Sequence, residues 1–250
     1  MLNNTTTFNR QLKTPSRFNT IDIGGVYEIN SKHLILIDDR PEVEEVATKI
    51  VNAWNKAGKT GVYVDVQHNE SETKNVYFLK DSKINKLVGK KGESTYDKTF
   101  KDFIKEYTSK YKITKFGNLD CTTGKKSPQS QPTVFFDGLG TGNVRPSDID
   151  SVIIEGDLLI FMEVKTGGGT LSYGQQLVME RIVNAWKLAG GVALGLLVKE
   201  KGYHKGDILA ENCKIERYYK DGKWHEVCRE LVEGLDSIIK TFSKKKTLTY

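Results

Sequence analysis

The feature that most narrows the folds open to this chain is a pentapeptide that occurs twice. Ile50-Val51-Asn52-Ala53-Trp54 returns as Ile182-Val183-Asn184-Ala185-Trp186, and two residues after each copy comes Ala-Gly and then an expected strand. The surroundings match too. Residues 26–29 and 34–37 read as strands about a polar turn at Asn30 and Ser31, and Pro41 then opens a helix. Its apolar positions Val43, Val46, Ala47, Ile50, Trp54 and Ala57 fall on one face; Gly58 ends it and residues 62–66 form a strand. In the second half, 149–154 and 158–164 read as a hairpin across Gly156-Asp157. A helix from about Ser172 to Ala189 follows, closed by Gly190-Gly191, and 192–198 returns as a strand. Hairpin, helix and strand in that order, twice, describe either an old duplication of a ββαβ unit or convergence on a good amphipathic helix; duplication is the expected origin.

Between the copies the chain is polar and lysine-rich from about 68 to 92, with one short strand expected at 76–79. A second amphipathic helix is expected over 95–112, with Phe100, Phe103, Ile104, Tyr107 and Tyr111 on one face. Residues 122–132 read as a loop or flap, 134–136 as a short strand and 138–142 as a glycine-rich loop. Beyond 200, residues 214–227 read as a hairpin about Asp221-Gly222. Leu231, Leu235, Ile238, Ile239 and Phe242 mark a last amphipathic helix running into Lys244-Lys245-Lys246. Residues 1–20 lack apolar periodicity and are expected to be a flexible arm.

Of 250 residues, 38% are hydrophobic and 28% charged, which is enough to build a packed core. No apolar run approaches the ~20 residues that a membrane-spanning helix needs. Three scattered cysteines, Cys121, Cys213 and Cys228, make no disulfide framework. Together with an Asn- and Thr-rich start in place of a signal sequence, they lead to an expected cytoplasmic location. The formal charge is +6, with 31 lysines among 38 cations. Lysine suits phosphate as a mobile point charge, but a lysine-rich surface equally keeps a protein soluble. Charge by itself selects no partner.

The stretch that carries chemistry is Ser147-Asp148-Ile149-Asp150 followed by Glu163-Val164-Lys165. Glu163 and Lys165 are two apart and leave one face of a strand, and the turn at Gly156-Asp157 brings Asp150 near Glu163. Alone, Glu-x-Lys in a strand is usually a solvent-facing ion pair. Here a second carboxylate, a glycine-rich exit loop at Gly167-Gly168-Gly169 and a helix with Gln175 near its start accompany it. Two hard carboxylates suit Mg²⁺, with Mn²⁺ as a substitute, and an adjacent lysine can orient an attacking water and offset developing charge. That chemistry is phosphodiester hydrolysis.

At these residues the sequence resembles the PD-(D/E)XK nuclease superfamily, and more narrowly its VRR-NUC and NERD-like members. The resemblance implies an α/β fold with a restriction-endonuclease-like αβββαβ core over residues 95–200, a mixed sheet flanked by helices. An N-terminal ββαβ unit at 21–94, a degenerate repeat, precedes it. A hairpin and helix with a basic tail at 201–250 follow. It implies a Mg²⁺-dependent nuclease acting on nucleic acid, DNA ahead of RNA, with no membrane partner and a homodimer left open. The family's metal-binding acid falls on Asp150, with Asp148 the other option because Pro146-Ser147-Asp148-Ile149-Asp150 is not a plain Pro-Asp. The acid-x-lysine motif falls on Glu163 and Lys165, with the Val164 backbone carbonyl as a further metal ligand. Leu171-Ser172-Tyr173-Gly174-Gln175 is similar to the family's Leu-Ser-x-x-Gln, in which the Gln supports the catalytic lysine. Many members add a Glu from the first core helix, and Glu106 is the candidate. Gln175 is also the far half of a capping box with Ser172, a reading that needs no function, and the two can hold together.

Other signals carry less. Gly138-x-Gly140-x-Gly142 runs into Asn143-Val144-Arg145-Pro146 instead of a helix, so a loop lining a cleft is expected rather than a phosphate cradle. Of His204, Cys213, His225 and Cys228, only His225-x-x-Cys228 has familiar zinc spacing, and a zinc site is not expected. Asp38-Asp39-Arg40 ends the equivalent strand of the first copy as an echo of Glu163-Val164-Lys165. Arginine cannot act as a base, so that half is expected to be silent, serving structure or substrate binding. Two other functions stay open: a catalytically inactive nuclease-fold nucleic acid-binding protein, and a small-nucleotide phosphodiesterase.

Overall fold

The computed structural model describes residues 12–67, 76–79, 82–113, 133–135, 147–202 and 206–247. Over these residues the chain is an α/β protein with a large mixed ten-strand sheet and four helices. In chain order the elements begin with β1 (Leu12–Lys13), β2 (Ile21–Ile29), β3 (His33–Asp38), α1 (Pro41–Lys56), β4 (Thr60–Gln67) and β5 (Val76–Phe78). Next come β6 (Lys83–Gly89), β7 (Gly92–Thr95), α2 (Phe100–Lys110), β8 (Thr133–Phe135), β9 (Ser147–Glu155) and β10 (Leu158–Lys165). The chain then runs through α3 (Tyr173–Leu188), β11 (Val192–Glu200), β12 (Ile208–Leu209), β13 (Cys213–Lys220), β14 (Lys223–Glu230) and α4 (Leu231–Thr247). Two compact units divide it: Gly24–Asn55 with Lys59–Asp148, and Gln11–Ile23 with Lys56–Gly58 and Ile149–Tyr250. The expected flap at 122–132, the glycine-rich loop at 138–142, Cys121 and His204 lie outside the described residues.

In the first unit the strands run in the order β2-β3-β4-β6-β7. β2 and β3 pair antiparallel, and α1 crosses over to bring β4 parallel to β3. β6 and β7 then add antiparallel. Asn30 and Ser31 take positive φ in the turn of the first hairpin. Pro41 starts α1 where no helical N–H is needed, and Glu42 and Glu44 in the first turn meet the positive end of the dipole. Alternation splits the strands between two faces. Ile35, Ile37, Val64 and Val66 pack in one core with Phe100, Phe103, Ile104 and Tyr107 of α2, while Leu34 and Leu36 are buried on the side of the α1 stripe.

The second unit repeats the design strand for strand, in the order β9-β10-β11-β13-β14. β9 and β10 are antiparallel, α3 brings β11 parallel to β10, and β13 and β14 add antiparallel. The registers coincide. His33 opposite Thr60 corresponds to Leu158 opposite Val192, and the irregularity between Asp65 and Val66 corresponds to that between Leu197 and Val198. Even the anchoring of the helix is shared. The Lys32 carbonyl accepts the Trp54 indole N–H at 3.1 Å and the Thr60 N–H at 2.9 Å. The Asp157 carbonyl accepts the Trp186 indole N–H at 2.7 Å and the Val192 N–H at 2.9 Å. α4 then packs over the face opposite α3, on Ile160, Met162, Leu196, Val198 and Ile215, as α2 does in the first unit. The repeat is therefore ββαβββα, longer than the ββαβ legible in the sequence.

Three expectations change. The β6–β7 hairpin, which ends the sheet with β7 as its edge strand, occupies a stretch expected to be polar loop, because exposed Lys83, Lys90 and Lys91 surround buried Ile84 and Val88. α2 and β8, expected to share one core with β9 to β11, belong to the first unit. There α2 closes the first repeat, and β8 pairs parallel with β5 in a separate two-stranded sheet. Finally, part of the expected arm is ordered: β1 pairs parallel with β12, and Phe18 is 4% exposed within the core beneath α4. Isolated Leu12 and Phe18 anchors have no periodicity to read.

Glycines at the close helix–sheet contacts give a test of opposite signs. A Cβ on Gly191 would lie 2.8 Å from the Asp157 carbonyl oxygen and against the Trp186 indole nitrogen. Gly174 in the first turn of α3 has nothing within 4 Å. Gly191→Ala is expected to lower the unfolding free energy by about 2 kcal/mol through overpacking. Gly174→Ala should raise it by about 0.5–1 kcal/mol by removing backbone entropy from the unfolded state. Urea unfolding of both variants checks the signs, and a neutral Gly191→Ala would mean that Trp186 is not held against the turn.

Candidate active site at the end of the second hairpin

Glu163 and Lys165 lie at the carboxyl end of β10, which runs parallel to β11, and the chain leaves them through residues 166–172 to start α3. Carboxyl ends of parallel strands, next to a helix N-terminus, are where α/β sheets place their ligands. Alternation sends Glu163 and Lys165 to the face that α3 covers, together with Leu159 and Phe161. Extending the β9–β10 register one step past Ser151–Met162 sets Asp150 opposite Glu163.

Glu163 is 2% exposed. Its Oε1 accepts from Lys165 Nζ at 2.9 Å and from the Gln175 side-chain amide. Lys165 Nζ also donates to Gln175 Oε1 at 3.1 Å, and the lysine side chain is 16% exposed. Asp150 Oδ2 accepts the Val164 N–H at 2.8 Å, so the carboxylate of β9 is pinned to the backbone between the glutamate and the lysine. Ser172 caps α3 in a full capping box: its hydroxyl accepts from Gln175 N at 3.2 Å and donates to Gln175 Oε1 at 3.1 Å. Both readings of Gln175 hold at once.

Asp150, Glu163, Val164, Lys165 and Gln175 are thus brought together. Asp148 is in β9, and its side chain lies outside what is described. Glu106 is on α2 of the first unit, where Tyr96 donates to it at 2.7 Å and Lys98 also pairs with it. Those two hydrogen bonds, Lys98 first, hold its carboxyl below the ordinary glutamate value. Cys213 is buried and donates to the Leu209 carbonyl at 3.3 Å, while Cys228 is exposed. His225 stacks on Tyr218 across the β13–β14 pair. Among the described residues, no group of three or more His, Cys, Asp or Glu is arranged to hold a metal. The donors offered at the site are two carboxylates and a backbone carbonyl, all hard oxygens. That set fits Mg²⁺, an ion that keeps waters and takes further oxygens from phosphate.

The first unit shows what the same place looks like when closed. Register puts Asp38 where the second unit has Glu163, Arg40 where it has Lys165, and Gly24 where it has Asp150. Asp38 is 5% exposed and accepts from Gly24 N at 2.7 Å, from the Asp39 and Arg40 amides, and from both Nε and Nη2 of Arg40. The carboxylate is encircled by its own backbone and a guanidinium fork. The sequence showed the Asp38–Arg40 echo but not its Gly24 partner, which only the register reveals. No family model, no curated protein and no solved structure matches the chain.

Because Glu163 is almost fully buried, removing it and neutralising it should differ. Glu163→Ala leaves Lys165 and Gln175 without their shared acceptor and is expected to cost about 3 kcal/mol of stability, the scale of breaking a buried pair. Glu163→Gln keeps the shape and a carbonyl oxygen for Lys165 and should cost about 1 kcal/mol. Chemical denaturation at neutral pH without divalent ions measures the two, and equal losses would show that the pair does not hold this strand end.

Proposed function

We propose that the protein is a metal-dependent nuclease that hydrolyses phosphodiester bonds in nucleic acid, DNA ahead of RNA, with the second unit as its catalytic half. The observation that carries this reading is a buried Glu163 hydrogen-bonded to Lys165 and Gln175, with Asp150 fixed to the intervening Val164 N–H. The order and spacing of these residues are those that resemble the PD-(D/E)XK nucleases. In that scheme the ββαβ part of the second repeat supplies the catalytic strands.

Asp150, Glu163 and the Val164 carbonyl would hold the ion. When bound, a divalent cation supplies positive charge against the non-bridging oxygens of the scissile phosphate. The remaining work falls to this chain. An ammonium has three N–H donors, and among the described residues Lys165 gives two of them to Glu163 and Gln175. The third can orient the attacking water and oppose the charge that develops on the phosphate. Gln175 keeps the ammonium from turning away, since its oxygen faces Lys165 while its amide nitrogen faces Glu163. The lysine surplus over the chain, 31 of 38 cations, suits sequence-independent contact with a phosphate backbone. A second reading, an inactive nuclease-fold protein that only binds nucleic acid, draws on the small set of two carboxylates described at the site.

Supercoiled, linear, single-stranded and RNA substrates with Mg²⁺, Mn²⁺ or EDTA separate the readings. Asp150→Asn, Glu163→Gln and Lys165→Met are each expected to slow cleavage about 100-fold or more with the protein still folded, and their losses should not add. Binding without cleavage in every metal would establish the inactive reading, and turnover confined to mononucleotide diesters would establish a small-nucleotide phosphodiesterase. Affinity for DNA with Ca²⁺ in place of Mg²⁺ should fall steeply as salt rises, through release of condensed counterions. A flat salt response would count against any nucleic acid substrate.

A further inference from the structure

We infer that Ser172 is a positioning residue for Lys165, acting through Gln175; this rests on the nuclease reading of the site. Asp38 and Glu163 stand 125 positions apart, and Trp54 and Trp186 stand 132 apart, so the second unit carries seven extra residues between strand end and helix, 166–172. In the first unit the chain passes from Arg40 straight into Pro41 of α1. The insertion ends on Ser172, and the unit that has it is also the one with lysine in place of arginine.

Ser172 makes three hydrogen bonds with one side of Gln175. Its N–H and its hydroxyl both donate to Gln175 Oε1, at 3.4 and 3.1 Å, and the hydroxyl oxygen accepts Gln175 N–H at 3.2 Å. A side-chain amide can sit either way round. Here the two ends meet opposite charges: Oε1 receives Lys165 Nζ at 3.1 Å and the amide nitrogen donates to Glu163. A flipped amide would point its N–H groups at an ammonium and its oxygen at a carboxylate. The Ser172 donors therefore reinforce the orientation that the ion pair requires, and they do so from a rigid helix start. A flexible lysine side chain is thereby held at a fixed place beside Glu163.

An N-cap role alone and a positioning role separate on one substitution. Aspartate caps a helix as well as serine does, but its carboxylate cannot donate to Gln175 Oε1. Full-length wild type, Ser172→Ala, Ser172→Asp and Ser172→Thr are compared in single-turnover cleavage with Mg²⁺, in DNA affinity with Ca²⁺, in melting temperature, and by NMR of the Gln175 side-chain amide and the Lys165 ¹³Cε. The expected result is a loss of about 10- to 100-fold in single-turnover rate for Ser172→Ala and Ser172→Asp, the scale for outer-shell support of a site. Affinity stays unchanged, Ser172→Asp keeps the wild-type melting temperature, and Ser172→Thr restores rate and spectra. A Ser172→Asp variant that cleaves at the wild-type rate, or whose Gln175 amide and Lys165 signals match wild type, overturns the inference. If wild type cleaves no nucleic acid with any metal, the nuclease reading fails. The NMR comparison then still decides whether Ser172 orders Gln175 and Lys165.

Discussion

A carboxylate with 2% exposure at the end of a strand is the constraint from which the second unit follows. Taking such a charge out of water costs several kcal/mol unless partners surround it. The second unit meets that cost with side chains, Lys165 and Gln175, and the first meets the same cost at Asp38 with backbone N–H groups and Arg40. The two solutions leave different things behind. A guanidinium fork on a short aspartate saturates the carboxylate. A lysine beside a longer glutamate leaves a donor over, and with it a group able to act on something brought to the site.

Such a pair can only be fixed if the elements that carry it are fixed. Each unit achieves this with one carbonyl in the hairpin turn, Lys32 or Asp157, shared between the tryptophan of the crossover helix and the first N–H of the returning strand. That bond ties hairpin, helix and parallel strand at one end and leaves the opposite ends, where Asp38 and Glu163 lie, at a set distance from the helix start. Packing sizes adjust around it. Ala47 and Tyr63 of the first unit correspond to Met179 and Gly195 of the second, where a Cβ on Gly195 would collide with the methionine. Bulk has moved from strand to helix while the register stayed.

The pentapeptide was legible because it combines a buried helical stripe with the tryptophan that makes the turn bond, and both are properties of side chains. The rest of the repeat was not legible, because it is conserved in register rather than in residue type. Lys86 and Arg217 occupy the same place in their sheets, opposite Asp65 and Leu197. An edge hairpin rich in lysine reads as loop when only composition is visible, which hid β6 and β7 and with them the true end of the first repeat. The cluster of Asp150, Glu163, Lys165 and Gln175 could be read, since strand alternation and a two-residue turn fix which side chains meet. Glu106 could not, since its partners Tyr96 and Lys98 come from the turn into α2 and have no spacing signal.

Side-chain length accounts for the difference between the two units at this place. Asp38 is short enough to bond the amides of the two residues that follow it, Asp39 and Arg40, at 3.0 and 3.1 Å, so it folds back on its own strand end. One added methylene in Glu163 carries the carboxylate beyond that reach, to where Lys165 and Gln175 receive it. Opposite it, Asp150 in the place of Gly24 adds a second carboxylate, which accepts the Val164 N–H. The seven extra residues end in the Ser172 cap of α3, whose partner Gln175 meets the pair. Each change alone would leave a buried charge poorly matched. Together they convert a sealed ion pair into one with a lysine proton to spare.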